Sequence, residues 1–148
     1  MTSPAAQQLA VILQRDPQIA FATLVGSRAT GKARPDSDWD IALQWAQGTD
    51  WLGTLGNTET LRHTLATSLG VAPAAIDLID LRRANLAMRA SVAEEGVPLA
   101  GEDSLAWAHF LQRTWRDLED FYWDQQHAAP NPPISYTRKA SVNESNTA

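Results

Sequence analysis

The sequence predicts an α+β fold, close to the α/β class, with a small mixed sheet of about four strands flanked by helices and a long C-terminal helix. Short apolar runs typical of strands alternate along the chain with longer segments that have apolar residues at helical spacing. The length, 148 residues, is enough for one ordinary folded domain and too short for two comfortable ones. The composition, 44% hydrophobic and 20% charged, is that of a folded globular chain.

Turn and cap residues separate the elements of the first half. Ser3 followed by Pro4 is typical of a helix N-terminus, and Pro17 ends that helix. Glycine and small residues after Val25 indicate a turn that has room for one helical turn. The predicted elements are a helix from residue 4, a buried strand over 19–25, a turn over 26–36 and an alternating strand over 38–45.

The second half continues the alternation. A helix over 50–69 carries Leu55, Leu61, Leu65 and Leu69 on one face, and Gly70 is its C-cap. In the last helix an apolar stripe is predicted at residues 111, 115, 118 and 122, and its aromatic residues are expected to be mostly core, with a partner surface as the alternative. The other elements are a strand over 76–81, a helix over 82–95 closed by Gly96, an apolar stretch over 97–100 and the last helix over 104–126.

Composition excludes several classes of function. No cysteine is present, which rules out a disulfide-stapled fold, a thiolate zinc site and a cysteine nucleophile. The net charge of −5 argues against a nucleic-acid partner. No apolar run approaches the ~20 residues that span a bilayer, and residues 1–8 lack signal-peptide features, so we expect no membrane partner and a cytoplasmic location. One domain is predicted over 1–127, followed by a disordered tail over 128–148.

Two aspartates two residues apart are the most informative feature. Asp38 and Asp40 would project from the same face of a strand, about 7 Å apart. Ionised carboxylates so close repel each other, and a divalent cation compensates that repulsion. Oxygen ligands without nearby cysteine or histidine favour Mg²⁺. Upstream, Gly26 and Ser27 follow a strand and open a turn, where backbone N–H groups and a hydroxyl can hold a phosphate.

A third carboxylate is expected from a neighbouring strand, and the segment 76–80 offers Asp77 and Asp80. Asp77 lies between apolar neighbours, where a solvated aspartate would be unusual. Asp80 stands at the strand's end beside two arginines, where capping or an ion pair is natural. Asp77 is therefore favoured. The three histidines, at 63, 109 and 127, show no ligand spacing and are interpreted as surface or core residues.

The stretch LVGSRATGKARPDSDWDIAL resembles the signature of the polymerase-beta-like nucleotidyltransferase superfamily, in which Gly-Ser is followed ten residues later by Asp-x-Asp. The later AIDLIDL is similar to that superfamily's third-carboxylate strand. The resemblance covers about 19–99, and the brevity of the chain points to the minimal nucleotidyltransferases (MNT), specifically the MntA-type antitoxins of HEPN/MNT toxin–antitoxin pairs.

The resemblance implies a palm-like nucleotidyltransferase core and a set of roles. Asp38, Asp40 and Asp77 would be the catalytic residues and the ligands of two Mg²⁺ ions. Gly26 and Ser27 would hold the phosphates of ATP, the substrate. Arg28 and Lys32 would neutralise phosphate charge, with ordinary surface charge as the alternative.

The function that the resemblance implies is transfer of AMP from ATP to a tyrosine of a cognate HEPN RNase toxin, which silences the toxin. Two alternatives stay open. The chain could act as a non-catalytic antitoxin that binds its toxin stoichiometrically, or it could transfer a nucleotide to a small molecule, for which the sequence shows no acceptor pocket.

Overall fold

A computed structural model describes residues 3–48 and 50–128 of the chain. The disorder predicted for 128–148 therefore falls, except for residue 128, outside the described residues. The described residues divide into two compact units between Arg116 and Asp117. The domain limits of 1–127 remain a prediction.

The described residues form five α-helices and four strands, which confirms the predicted α+β class. The sheet is mixed and has the order β3-β2-β1-β4, in which β2 and β3 are parallel and the other neighbours antiparallel. The elements are α1 (Pro4–Arg15), β1 (Ile19–Val25), α2 (Ser27–Thr30), β2 (Trp39–Trp45), α3 (Trp51–Leu69), β3 (Ile76–Asp80), α4 (Leu86–Glu95), β4 (Val97–Ala100) and α5 (Leu105–His127).

Side-chain caps fix where the helices begin. The Ser3 hydroxyl accepts a hydrogen bond from the N–H of Ala6 at 3.1 Å, and the Ser104 hydroxyl accepts from the N–H of Trp107 at 3.1 Å. Such bonds satisfy backbone donors that have no partner within the first turn. The predicted start of the first helix and the predicted Gly70 cap, which is left-handed at φ 70°, are confirmed.

The sheet separates two hydrophobic clusters. On one face, α1 and α3 pack against alternate residues of the two central strands, including Trp39 and Ile41. On the other face, α4 and the first part of α5 pack against Phe21 and Ala42. Because successive strand residues point to opposite faces, neighbours in sequence belong to different clusters.

Several predicted boundaries were wrong by one to four residues. The second strand begins at Trp39 rather than Asp38, and the third ends at Asp80 rather than at residue 81. The fourth helix begins at Leu86 rather than at residue 82, because the Asn85 side chain accepts a hydrogen bond from the N–H of Met88 at 2.9 Å and caps the helix there.

The predicted apolar stripe of the last helix was wrong. Phe110 and Thr114 are buried, whereas Trp115 is 41% exposed. The aromatic core on this side consists of Phe21, Trp107 and Phe110, with ring centroids 5.0–5.4 Å apart. The buried stripe is thus offset by one residue from the predicted one. In α3, Leu61 and Leu65 are buried as predicted, but Leu55 is 53% exposed.

The second unit consists, among the described residues, of 117–128 and contains the end of α5. Three consecutive aromatic residues there, Phe121, Tyr122 and Trp123, are 47–59% exposed, so their assignment to the core was wrong. The Trp123 ring stacks on His127 with centroids 3.9 Å apart. Across the described residues, no helix combines the length and the apolar character that crossing a membrane requires.

Candidate active site

Strand pairing places two of the predicted aspartates side by side. In the parallel pair of β2 and β3, Asp40 is in register with Asp77. Both alternate with residues of the cluster under α4 and α5, namely Ala42 and Ile79, so both side chains belong to that face of the sheet. Asp38 lies two residues before Asp40 in the exposed segment that leads into the strand. The structure therefore places Asp77 beside Asp40, with Asp38 two residues earlier in the chain.

The electrostatics of Asp40 reflect this crowding. Burial, followed by the negative charges of Asp77 and Asp38, raises the pKa of the Asp40 carboxyl above its ordinary value of 3.8. Removal from water and like charges both disfavour the ionised form. A cation placed among these carboxylates would relieve that cost.

Gly26 is packed directly against the Asp40 carboxylate. Its backbone has φ 74° and ψ −157°, a region that side chains essentially exclude. A Cβ added at this position would lie 2.3 Å from Oδ2 of Asp40. The glycine thus permits both the turn after β1 and the close approach of the carboxylate, which connects the Gly-Ser pair to the aspartates in space.

Ser27 is the first residue of the short helix α2, next to Gly26. The N–H groups of Ala29 and Thr30 bond to the carbonyl of Gly26 at 3.0 and 3.2 Å, whereas the first N–H groups of a helix have no partner within it. Lys32 follows the helix and is exposed, with its backbone N–H bound to the carbonyl of Ser27 at 3.0 Å. The phosphate-binding roles of Gly26, Ser27 and Lys32 remain predictions.

Arg28 makes contacts that the sequence did not predict. Its Nε and Nη2 donate to the carbonyl of Ser37 at 3.2 and 2.7 Å, and Nη2 also reaches the carbonyl of Pro35 at 3.3 Å. The guanidinium carbon lies 4.1 Å from the ring centroid of Trp39. The Ser37 hydroxyl accepts a hydrogen bond from the N–H of Arg34 at 2.8 Å, so Ser37 helps to shape the turn.

Asp77 and Asp80 differ in their contacts, and one reason given for choosing Asp77 was wrong. Asp77 is exposed rather than enclosed by its apolar neighbours. Asp80 accepts a hydrogen bond from the N–H of Arg82 at 3.0 Å and lies 3.9 Å from Nε of Arg83, which is the predicted structural role. The pairing of Asp77 with Asp40, rather than its burial, is what places it in the candidate site.

The residues fit a magnesium ion that the substrate helps to hold. Among the described residues, no group of three or more His, Asp or Glu side chains is close enough to form a protein-only metal cage. Mg²⁺ is bound through one or two carboxylates together with substrate phosphates and water. A pair of aspartates beside an open Gly-Ser turn meets that requirement, since the phosphates would supply the remaining oxygens.

Comparison with known families decides the class. The family model for "Polymerase beta, Nucleotidyltransferase" matches residues 7–105, which include every element of the candidate site. The chain belongs to the polymerase beta nucleotidyltransferase family. It is accordingly a nucleotidyltransferase, as the Gly-Ser and Asp-x-Asp pattern predicted. No curated protein matches the chain significantly.

Solved structures of this nucleotidyltransferase fold include toxin–antitoxin complexes. The chain is similar to a chain in a crystal structure of a toxin–antitoxin with AMP-PNP, at 25% identity and a TM-score of 0.61, covering 81% of this chain and 92% of that one. It is also similar, at 24% identity and a TM-score of 0.56, to a chain of a tri-AMPylated Shewanella oneidensis HEPN toxin in complex with its MNT antitoxin, covering 82% and 90%. A third match, the toxin–antitoxin MntA–HepT, has a TM-score of 0.57 at 24% identity and covers 84% and 93%.

One residue near the site was missed by the sequence analysis. Arg62 on α3 donates from Nη1 to the carbonyl of Ile76, immediately before Asp77, and lies 3.3 Å from the Glu59 carboxylate. An arginine in a helix gives no sequence signal for such a contact, because its partner lies 14 residues away on an edge strand.

Proposed function

We propose that this chain transfers AMP from ATP to a tyrosine hydroxyl of a cognate HEPN RNase toxin and thereby neutralises the toxin. The observation that carries the proposal is the pairing of Asp40 with Asp77 beside Gly26. The toxin–antitoxin structure with AMP-PNP and the AMPylated HEPN toxin bound to its MNT antitoxin supply the donor and the class of partner. ATP as donor is consistent with a cytoplasmic site of action.

In the proposed reaction, the tyrosine oxygen forms a bond to the α-phosphorus of ATP, and the bond from that phosphorus to the bridging oxygen of the β-phosphate breaks. Pyrophosphate leaves, and the hydroxyl proton passes through the Asp77 carboxylate to solvent. Asp77 is exposed on the edge strand β3, where a protein acceptor can reach it, so its carboxylate can help to activate the hydroxyl. Ser27 and the N–H groups beside Gly26 would hold the β- and γ-phosphates, and Lys32 would offset their charge.

Asp38, Asp40 and Asp77 are the residues that would hold Mg²⁺. The metal, in two sites by the pattern of the family, would supply charge neutralisation at the attacking and leaving oxygens. The surroundings of Asp40 disfavour its ionised carboxylate, because burial and two like charges act on it together.

The experiment mixes the purified chain, ATP, Mg²⁺ and a candidate HEPN partner, and measures the intact masses of both proteins. The expected result is a gain of one or more adenylate units on the HEPN protein with the wild type and none with Asp38→Ala/Asp40→Ala. Toxin inhibition without a mass change, equally effective in the double variant, would overturn the proposal in favour of stoichiometric binding. The exposed aromatic residues at the end of α5 favour that second candidate.

A further inference from the structure

We propose that Arg28 is a positioning residue that fixes the backbone on both sides of Asp38, and that Arg62 does the same before Asp77. This inference rests on the proposed site and adds two residues that act through the carboxylates rather than on the nucleotide. It assigns Arg28 a different role from the phosphate contact that the sequence resemblance implied.

The contacts of Arg28 bracket Asp38 in sequence. On one side the guanidinium donates two hydrogen bonds to the carbonyl of Ser37, the residue before the aspartate. On the other side it stacks over the ring of Trp39, the residue after it. Asp38 is itself exposed and precedes β2, so strand pairing does not hold it. These contacts with its two neighbours therefore restrict the position of its carboxylate.

The location of the Arg28 guanidinium argues against a phosphate contact. Trp39 belongs to the core on the α1 and α3 face of the sheet, whereas Asp40, the next residue, faces the opposite side with Asp77. The guanidinium over the Trp39 ring is consequently directed away from the carboxylates. Its Nε and Nη2 already donate to the carbonyl of Ser37, and Nη2 also donates to the carbonyl of Pro35.

Arg62 makes a similar contact at β3. It donates to the carbonyl of Ile76, the residue before Asp77, from a helix on the same α1 and α3 face. Strand β3 is at the edge of the sheet, so it has a neighbouring strand on only one side. In both cases an arginine from a helix bonds the carbonyl of the residue before a carboxylate, Ser37 before Asp38 and Ile76 before Asp77.

The geometry of arginine makes the inference testable. Its planar fork can bond one carbonyl twice and still stack on an aromatic ring, whereas lysine presents a single point charge. Arg28→Lys keeps the charge and removes the fork. A phosphate ligand would be rescued by lysine, but a backbone clamp would not.

The experiment compares Arg28→Lys and Arg28→Gln with the wild type in AMP transfer to the HEPN partner, with Arg83→Lys as the matched control. Arg83 is an arginine whose side chain is 77% exposed, and its replacement should leave kcat and KM unchanged. We expect kcat to fall by about 10- to 100-fold in both Arg28 variants. With Mg²⁺ saturating for each variant, the KM for ATP should stay within about 2-fold, because no binding contact to the nucleotide is lost. Retained kcat in Arg28→Lys, or a raised KM for ATP in Arg28→Gln, would overturn the proposal.

Two readouts besides activity separate this proposal from the proposed function. Hydrogen–deuterium exchange should accelerate over 33–39 in Arg28→Lys and around residue 77 in Arg62→Lys, while 19–25 stays protected. Mn²⁺ affinity, measured by electron paramagnetic resonance, should weaken in both. If the wild type transfers no AMP but both readouts change, the proposed function is wrong and the positioning roles of Arg28 and Arg62 are supported. Unchanged hydrogen–deuterium exchange at these segments would overturn the proposed positioning roles, whatever the activity of the variants.

Unfolding of Arg28→Lys would appear as faster exchange over 19–25 as well. Trp39→Phe is then the variant to test, since it keeps an aromatic ring in the core and weakens the stack beneath the guanidinium. The same segment, 33–39, should exchange faster and kcat should fall, by a smaller factor than with Arg28→Lys. Wild-type exchange and wild-type kcat in Trp39→Phe would contradict the positioning role of Arg28.

Discussion

Replacing Gly26 by alanine tests the packing of the site most sharply. The backbone there lies in a region with positive φ and extended ψ, where a side chain costs about 1–3 kcal/mol. The added Cβ would stand 2.3 Å from the Asp40 carboxylate oxygen, so the carboxylate must move by about 1 Å to reach an ordinary C···O contact of about 3.3 Å. A displacement of about 1 Å at a reacting group costs about 10²-fold in rate.

Gly31→Ala provides the matched control. Gly31 also has a positive φ, 79°, but a Cβ there would meet no atom within 4 Å. We expect it to lose about 1–2 kcal/mol of stability from backbone strain alone and to keep its transfer rate. Urea unfolding measures the stability of each variant, and the rate of AMP transfer to the HEPN partner measures activity. If Gly26→Ala retains the same rate as Gly31→Ala at a similar loss of stability, the contact with Asp40 does not matter and the reasoning fails.

Two further changes test the carboxylates. The raised pKa of Asp40 means that the folded protein binds this proton more tightly than the unfolded chain, so the stability that this group contributes is full below about pH 3.8 and is lost as pH rises through the folded pKa. In EDTA, Asp40→Asn should therefore gain stability over the wild type between acid and neutral pH; an advantage that does not change with pH in urea titrations would refute the charge argument. Asp77→Asn should abolish AMP transfer, whereas Asp80→Asn should retain it because asparagine can still cap the N–H of Arg82; equal losses would show that the assignment of the third carboxylate is wrong.

Local sequence signals predicted the part of the site that is contiguous in the chain. The strand before Gly26, the short helical turn at Ser27 and the same-facing pair Asp38 and Asp40 follow from turn chemistry and a period of two, which operate over a few residues. The family resemblance rests on these same positions. The structure changed only the strand boundary, because Asp38 precedes the first paired residue.

The choice of the third carboxylate and the contacts of Arg28 depend on pairing between distant segments of the chain, which the sequence did not reveal. The segment 76–80 offered two aspartates on opposite faces, and only the register with the second strand shows that Asp77 is opposite Asp40. The contacts of Arg28 depend on how the turn brings the carbonyl of Ser37 to it, nine residues away. Such side-chain-to-backbone bonds leave no periodic trace in a sequence.

The last helix shows a different limit. Apolar and aromatic residues occupy more of its circumference than one buried face needs, so periodicity allowed more than one stripe. Packing against Phe21 selected Trp107 and Phe110, and Trp115 remained exposed. The choice depends on the residues that the sheet presents, which the helix sequence alone does not contain.

The most direct test of the account is to locate the metal and the nucleotide. Crystals of the chain grown with Mn²⁺ and a non-hydrolysable ATP analogue would give an anomalous difference map with a strong manganese signal. We predict a peak bounded by the carboxylates of Asp38, Asp40 and Asp77, with the nucleotide phosphates beside Ser27. Phosphates elsewhere on the sheet, or a fully loaded nucleotide without manganese at these aspartates, would contradict the assignment of this site.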